Sequence, residues 1–179
     1  MAKFGAFLLF IPLAILTAGG FGALHDQISF TVSPEYFTKF KFIQFGLLDG
    51  SIPERLRVAE VGFFASWWMG IPIGPLVGAA GFIQRSAVLM RRALLWSLGV
   101  IVGFTLLFAL CGLTYGYFQT AHIDLAAYHG WYLPDGLVHV RSFLCAGYMH
   151  NSAYLGGVLS VPVAWFFQVL YRYGHRHAV

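Results

Sequence analysis

The sequence predicts an all-α membrane protein: a bundle of four transmembrane helices with a short interfacial outer segment after the first. Three observations lead to this fold class. The chain is 59% apolar and only 10% charged, whereas a soluble domain averages roughly 45–50% and about 25%. Mean hydropathy is +0.72, so lipid rather than water is the solvent such a chain can fill. Four stretches also run without a single Asp, Glu, Lys or Arg over residues 4–24, 61–83, 93–118 and 142–171. Each reaches the ~20 residues needed to cross a hydrocarbon core. The 179 residues leave room for one integral membrane domain, with spans at about 4–24, 61–83, 93–118 and 150–171.

The first run follows Lys3 and exceeds the ~7–15 apolar residues of a signal peptide. Thr17-Ala18-Gly19 is a poor cleavage site, so the run reads as a retained helix. Ile28 to Ser33 alternates apolar and polar residues, which predicts a short extended segment. Ser33-Pro34-Glu35 then carries an N-cap, a first-turn proline and a first-turn acid. A helix is expected from Pro34 to about Leu48, with a strand as the competitor around Lys39 to Phe42. Its aromatic content places it in the membrane interface or as a cap on the bundle.

The string HDQISFTVSPEYFTKFKFIQFG, residues 25–46, resembles a segment of uncharacterised bacterial multi-pass membrane proteins. The resemblance spans about an eighth of the chain. It implies a bacterial inner-membrane location and brings no activity with it.

Ser51, Pro53 and Glu54 announce the second span as cap, start and first-turn acid. Arg57 and Glu60, three apart, are spaced to pair on one helix face. Pro72 and Pro75 should kink this span. Gly70, Gly74 and Gly78, then Gly99 and Gly103, then Gly112 and Gly116, repeat every fourth residue. Small residues at that spacing let helices approach closely in lipid, and contacts within one chain are the expectation, with a dimer face as the rival. Trp67, Trp68, Trp96, Trp165, Tyr115 and Tyr117 read as headgroup-level anchors. Pro134-Asp135 looks like a helix start, from which one helix would run unbroken into the fourth span.

Orientation follows the lysines and arginines that flank the spans. Lys3, Arg85, Arg91, Arg92, Arg172 and Arg176 fall on one side without an acid. All seven acids, Asp26, Glu35, Asp49, Glu54, Glu60, Asp124 and Asp135, fall on the other. Both termini are therefore expected in the cytoplasm. Basic residues that flank apolar spans point to membrane rather than nucleic acid as partner.

Five of the seven histidines, His25, His122, His129, His139 and His150, fall with the acids. His150 is the leading candidate, because an ionisable group inside a span is costly and marks function by default. His25 with Asp26 is placed to approach His122, Asp124 or Glu60, a donor set suited to a transition metal or to proton relay. Asp135 and His139 would share a helix face with His150, but His139 and His150 would stand about 16 Å apart along the axis, too far for one ion. Cys145 and Met149 beside His150 raise a weak case for copper(I).

Walker A, HExxH, CxxC and GxSxG motifs are absent, so a non-enzymatic role is expected. Three readings follow. The first is an accessory or assembly subunit docking through its outer face onto a larger membrane complex or onto its own copies. The second is a membrane-embedded metal- or haem-binding or redox protein using His25, Glu60, His122, Asp124, His139 and His150. The third is a small-solute or proton transporter.

Overall fold

The computed structural model describes residues 1–175. The described chain is 83% helical and contains no strand. Its long elements are α1 (Ala2–Val32), the run Glu54–Ile83, α6 (Ala87–Gln119) and α7 (Val140–Gly174), and each is long and apolar enough to cross a membrane. Between α1 and the second run come α2 (Pro34–Tyr36), a π-helical turn (Phe37–Lys41) and α3 (Phe42–Phe45). The second run divides into α4 (Glu54–Ser66), a 3-10 turn (Trp67–Met69), α5 (Gly70–Ala80) and a further 3-10 turn (Gly81–Ile83).

The long elements alternate in direction. α1 packs along α4 and α5, α6 packs along α7, and α1 and α5 also touch α7. Contacts sort the connections into two ends. At the terminal end, Lys3 Nζ donates to the carbonyls of Phe82 and Gln84, and Arg172 donates to that of Ile83. At the loop end, Lys39 donates to the Gly136 carbonyl, and Glu35 accepts from the backbone N–H groups of Val138 and His139. Arg176 lies outside the described residues.

Small residues determine how closely α1 approaches its neighbours. A Cβ on Gly62 would strike the backbone of Gly22 and Ala23, and one on Gly70 would meet the Ile15 backbone N at 2.6 Å. Gly74 and Gly78 also face α1, while Gly112 and Gly116 face Ser152 and Tyr148 of α7. The expected intramolecular glycine packing holds for these. It does not hold for Gly99 and Gly103, where a Cβ would meet nothing within 4 Å.

The break at Trp67–Met69 lies just N-terminal to Pro72. Proline has no N–H for the carbonyl one turn back and crowds it, so the helix tightens upstream of the ring. Side chains bond carbonyls elsewhere along the run. Tyr154 and Trp68 donate to Ala65 O, Trp165 to Leu76 O and Gln168 to Val77 O. Trp67 and Trp68 therefore stand near the middle of their run, not at its end as anchors would.

Several local expectations are corrected. Residues 28–32 continue α1 as helix rather than forming an extended segment. An apolar face toward the bundle outweighs the short-range alternation, and Ser29 and Phe30 are buried on it. Asp26 consequently lies within the long helix α1, not in a loop. The helix after Ser33 ends at Phe45, because Gly46 takes a left-handed φ of 70°. Ser33 caps as expected, its Oγ accepting from Tyr36 N. Ser51 does not cap α4, whose N-cap is Pro53. Arg57 donates to the carbonyls of Leu47 and Ile52 instead of pairing with Glu60, which fastens the loop 46–53 to α4.

The fourth span begins at Val140, not Asp135. Gly136 has φ 67°, and residues 134–139 are not helical. His139 is the N-cap of α7. The shared face expected for Asp135, His139 and His150 therefore does not form: His139 is exposed and His150 is buried.

The segment after α1 caps the bundle, as expected. Tyr36, Phe37 and Phe42 are buried with Phe30, Val58, Val61, Phe143 and Ala146 in one apolar cluster at the loop end. A second cluster, toward the terminal end, joins Phe10 and Ala14 to Ile73, Val77, Leu94 and Ala164.

Candidate metal centre

Where α1 meets α7, just beneath the capping segment, three titratable side chains converge. The extension of α1 through Val32 carries His25 and Asp26 into the interior, and Ser29 follows Asp26 by three residues on the same face. From α7, His150 reaches them. All four residues are buried.

His25 Nδ1 lies 2.9 Å from Asp26 Oδ1, and His150 Nε2 lies 3.7 Å from the same oxygen. One ligand-type atom from each of His25, Asp26 and His150 falls within 4.8 Å of the others. Two ligands about 2.0–2.2 Å from one ion stand roughly 3–3.5 Å apart at ordinary coordination angles. The first two separations bracket that range. His150 Nε2 also shares a hydrogen bond with Ser29 Oγ at 3.0 Å.

Aromatic rings hold the imidazoles in place. The His25 and His150 rings meet edge to face at 4.9 Å, and Tyr36 stacks on His150 at 4.8 Å with an angle of 26°. Phe21 lies 5.6 Å from His25 and Phe37 6.2 Å from His150. With the two imidazoles in contact, no slot for a porphyrin exists between them, so the haem form of the metal reading does not fit.

Two polar atoms of the cluster, His25 Nε2 and Asp26 Oδ2, are buried and bond no protein atom. An unpaired buried polar atom costs on the order of 1–3 kcal/mol, and in native proteins it commonly marks an ion, a water or a functional group.

The cluster forms the loop-end boundary of a cavity of about 70 Å³ bounded by α1, α4, α5, α6 and α7. The rest of its wall is mainly apolar, with hydroxyls from Thr17, Ser66, Thr105 and Tyr154 among it. Thr105 Oγ1, also buried without a protein partner, lies on that wall.

Above the site, burial pushes the Tyr36 hydroxyl upward, and the charge of Asp26 adds to that shift. Burial pushes the Lys41 ammonium downward, while Asp26 pulls it the other way. At the outer rim, Lys39, 2.8 Å away, holds the Glu35 carboxyl down at about 2, helped by the backbone N–H groups of Val138 and His139.

Of the sequence candidates, the fold brings His25 and His150 together and leaves the others apart. Glu60, His122, Asp124 and His139 are exposed. Asp124 caps a 3-10 turn through Ala126 N. Cys145 Sγ contacts Thr120 Oγ1 at 3.4 Å and takes no part in the histidine cluster, so the copper grouping of Cys145, Met149 and His150 does not assemble. Sequence reasoning gave Asp26 only as a neighbour of His25 and passed over Ser29 and Tyr36. The available signal was an adjacent imidazole and carboxylate at the end of a charge-free run.

No protein-family model, no curated protein and no solved structure matches this chain.

Proposed function

We propose that this chain is an integral membrane protein that binds a divalent transition-metal ion between α1 and α7, with His25, Asp26 and His150 as protein ligands. The convergence of two imidazoles and one carboxylate in a buried site supports this reading. Nitrogen and carboxylate donors together suit first-row transition metals. A soft copper(I) site would want the sulfur that this cluster lacks. The same constellation favours metal binding over a purely docking accessory role.

The lysine and arginine pattern further supports a topology with both termini in the cytoplasm. The metal centre would then sit in the outer half of the membrane, beneath the capping segment.

Metal analysis of protein purified in detergent tests the reading, together with calorimetric titration of the metal-stripped protein with Fe(II), Co(II) and Zn(II). About one equivalent is expected. His25→Ala and His150→Ala should each lower affinity by ~100-fold or more, about 2.7 kcal/mol. His122→Ala and His139→Ala should leave affinity unchanged. Equal binding by wild type and His150→Ala would overturn the assignment.

A further inference from the structure

The cavity beside the metal cluster has the wrong size and lining for most ligands, and that narrows what it can take. Its volume of about 70 Å³ is several times the ~10–15 Å³ that one water-sized molecule needs. It falls well short of the roughly 300–1,000 Å³ of a pocket for a drug-sized ligand. Phe21, Met69, Ile101 and Val102 dominate its wall, and apart from the metal cluster it offers few polar groups, Thr105 among them. A charged ligand would lose its hydration without compensation.

Three protein ligands also leave coordination positions open on an ion that prefers six. Two histidines and one carboxylate with open positions is the donor set of non-haem ferrous iron. Tyr36 and Phe37 cover the cluster from the loop end, and the cavity adjoins His25, Asp26 and His150 from the other side. The open positions would face apolar space.

On these grounds we infer that the cavity is the pocket for a small uncharged diatomic molecule, of the class of dioxygen and nitric oxide, bound to ferrous iron held by His25, Asp26 and His150. The inference rests on the metal reading above and adds the exogenous ligand. Binding requires no electron from outside. Ferrous iron held by His25, Asp26 and His150 would itself supply the electron density that such a ligand accepts, and the three side chains would remain its protein ligands. Thr105 Oγ1 supplies the wall with a hydroxyl that has no protein partner.

The test loads metal-stripped protein with Fe(II) under anaerobic conditions and adds nitric oxide as the probe. The electron paramagnetic resonance signal of a mononuclear ferrous nitrosyl is the readout. Wild type should give the signal in proportion to bound iron. Val102→Phe and Ala18→Leu, which fill the cavity from α6 and α1 independently, should keep their iron. Each should weaken nitric oxide binding by ~10-fold or more. Thr105→Val, which keeps the volume, tests the hydroxyl separately and should retain the signal with altered line shape. Full iron loading without a nitrosyl signal would overturn this inference and leave the metal reading standing. So would unchanged nitric oxide affinity in both filled variants. A wild-type protein that takes up no iron would overturn both.

Discussion

The two halves of α1 belong to one helix but do different work. The first half presents Ala6, Phe10 and Ala14 to Ile73 and Val77, a dry contact in which Gly70 brings α5 against the Ile15 backbone. The second half buries His25, Asp26 and Ser29 against α7 and leaves two of their polar atoms unbonded. Close packing of small residues stabilises a helix pair through many weak contacts. A buried polar cluster with unmet hydrogen-bonding capacity does the reverse. The molecule therefore places a locally unfavourable patch on a scaffold secured elsewhere, as expected where function rather than stability selects the residues.

That contrast can be broken most severely at the packed contact. Gly62→Leu would drive a side chain into the Gly22 backbone, so α1 and α4 must separate. A loss of ~3 kcal/mol or more is expected, at the upper end for overpacking, read as a fall in the thermal midpoint in detergent. The polar half would follow, since it depends on the same α1. His150→Ala should lose metal binding without a comparable fall in the midpoint. That pair of results would separate scaffold from site.

A smaller effect is expected at the rim. Glu35, held at about 2, has a folded-state value below the ordinary carboxylate range. Its contribution to seating the capping segment is therefore complete above the ordinary value near 4.5. It is lost as the pH falls through about 2. Proteolysis of the 34–45 segment should rise across that interval in wild type. In Glu35→Gln the cleavage should already be raised at neutral pH and should vary little with acid.

The smallest effect should come from Lys41, whose charge is felt at Asp26 and His150. Removing a nearby positive charge makes the site more welcoming to a dication. Lys41→Met should raise Co(II) affinity by only a few-fold, ~1 kcal/mol or less, measured by the same titration. An affinity that falls instead would mean that the lysine positions the cap rather than repelling the metal.

Much of the architecture was legible in the sequence and little of the site was. Charge-free runs locate the four long helices because backbone groups in an apolar solvent must pair within the segment. Their ends were missed: helix continues past the apolar run wherever one face stays buried, as at Ser29 and Phe30. The opposite error occurred before α7, where Gly136 and Pro134 stop the helix that Pro134-Asp135 suggested. His150 stood out because it interrupts an apolar run. Its partners did not, since Ser29 is 121 residues away, and a contact between distant segments leaves no spacing to read. His122 and Asp124 show the converse. A histidine and a carboxylate two residues apart were legible as candidates, but both lie exposed and outside the cluster.

The π-helical turn at Phe37–Lys41 has a genealogical meaning. Such a turn is the geometry an α-helix adopts when it accommodates one extra residue, and one residue in a regular helix turns all that follows by about 100°. The turn absorbs that rotation, so Phe37 and Phe42 both face inward although they are five positions apart. Removing Thr38 would return the segment to ordinary winding and leave Phe37 and Phe42 four positions apart on one face, with Phe42 still toward Arg57, which stacks on its ring at 4.3 Å. The cap over His25, Asp26 and His150 thus winds one residue more than an α-helix would need, and the π turn keeps Phe37 and Phe42 on one inward face.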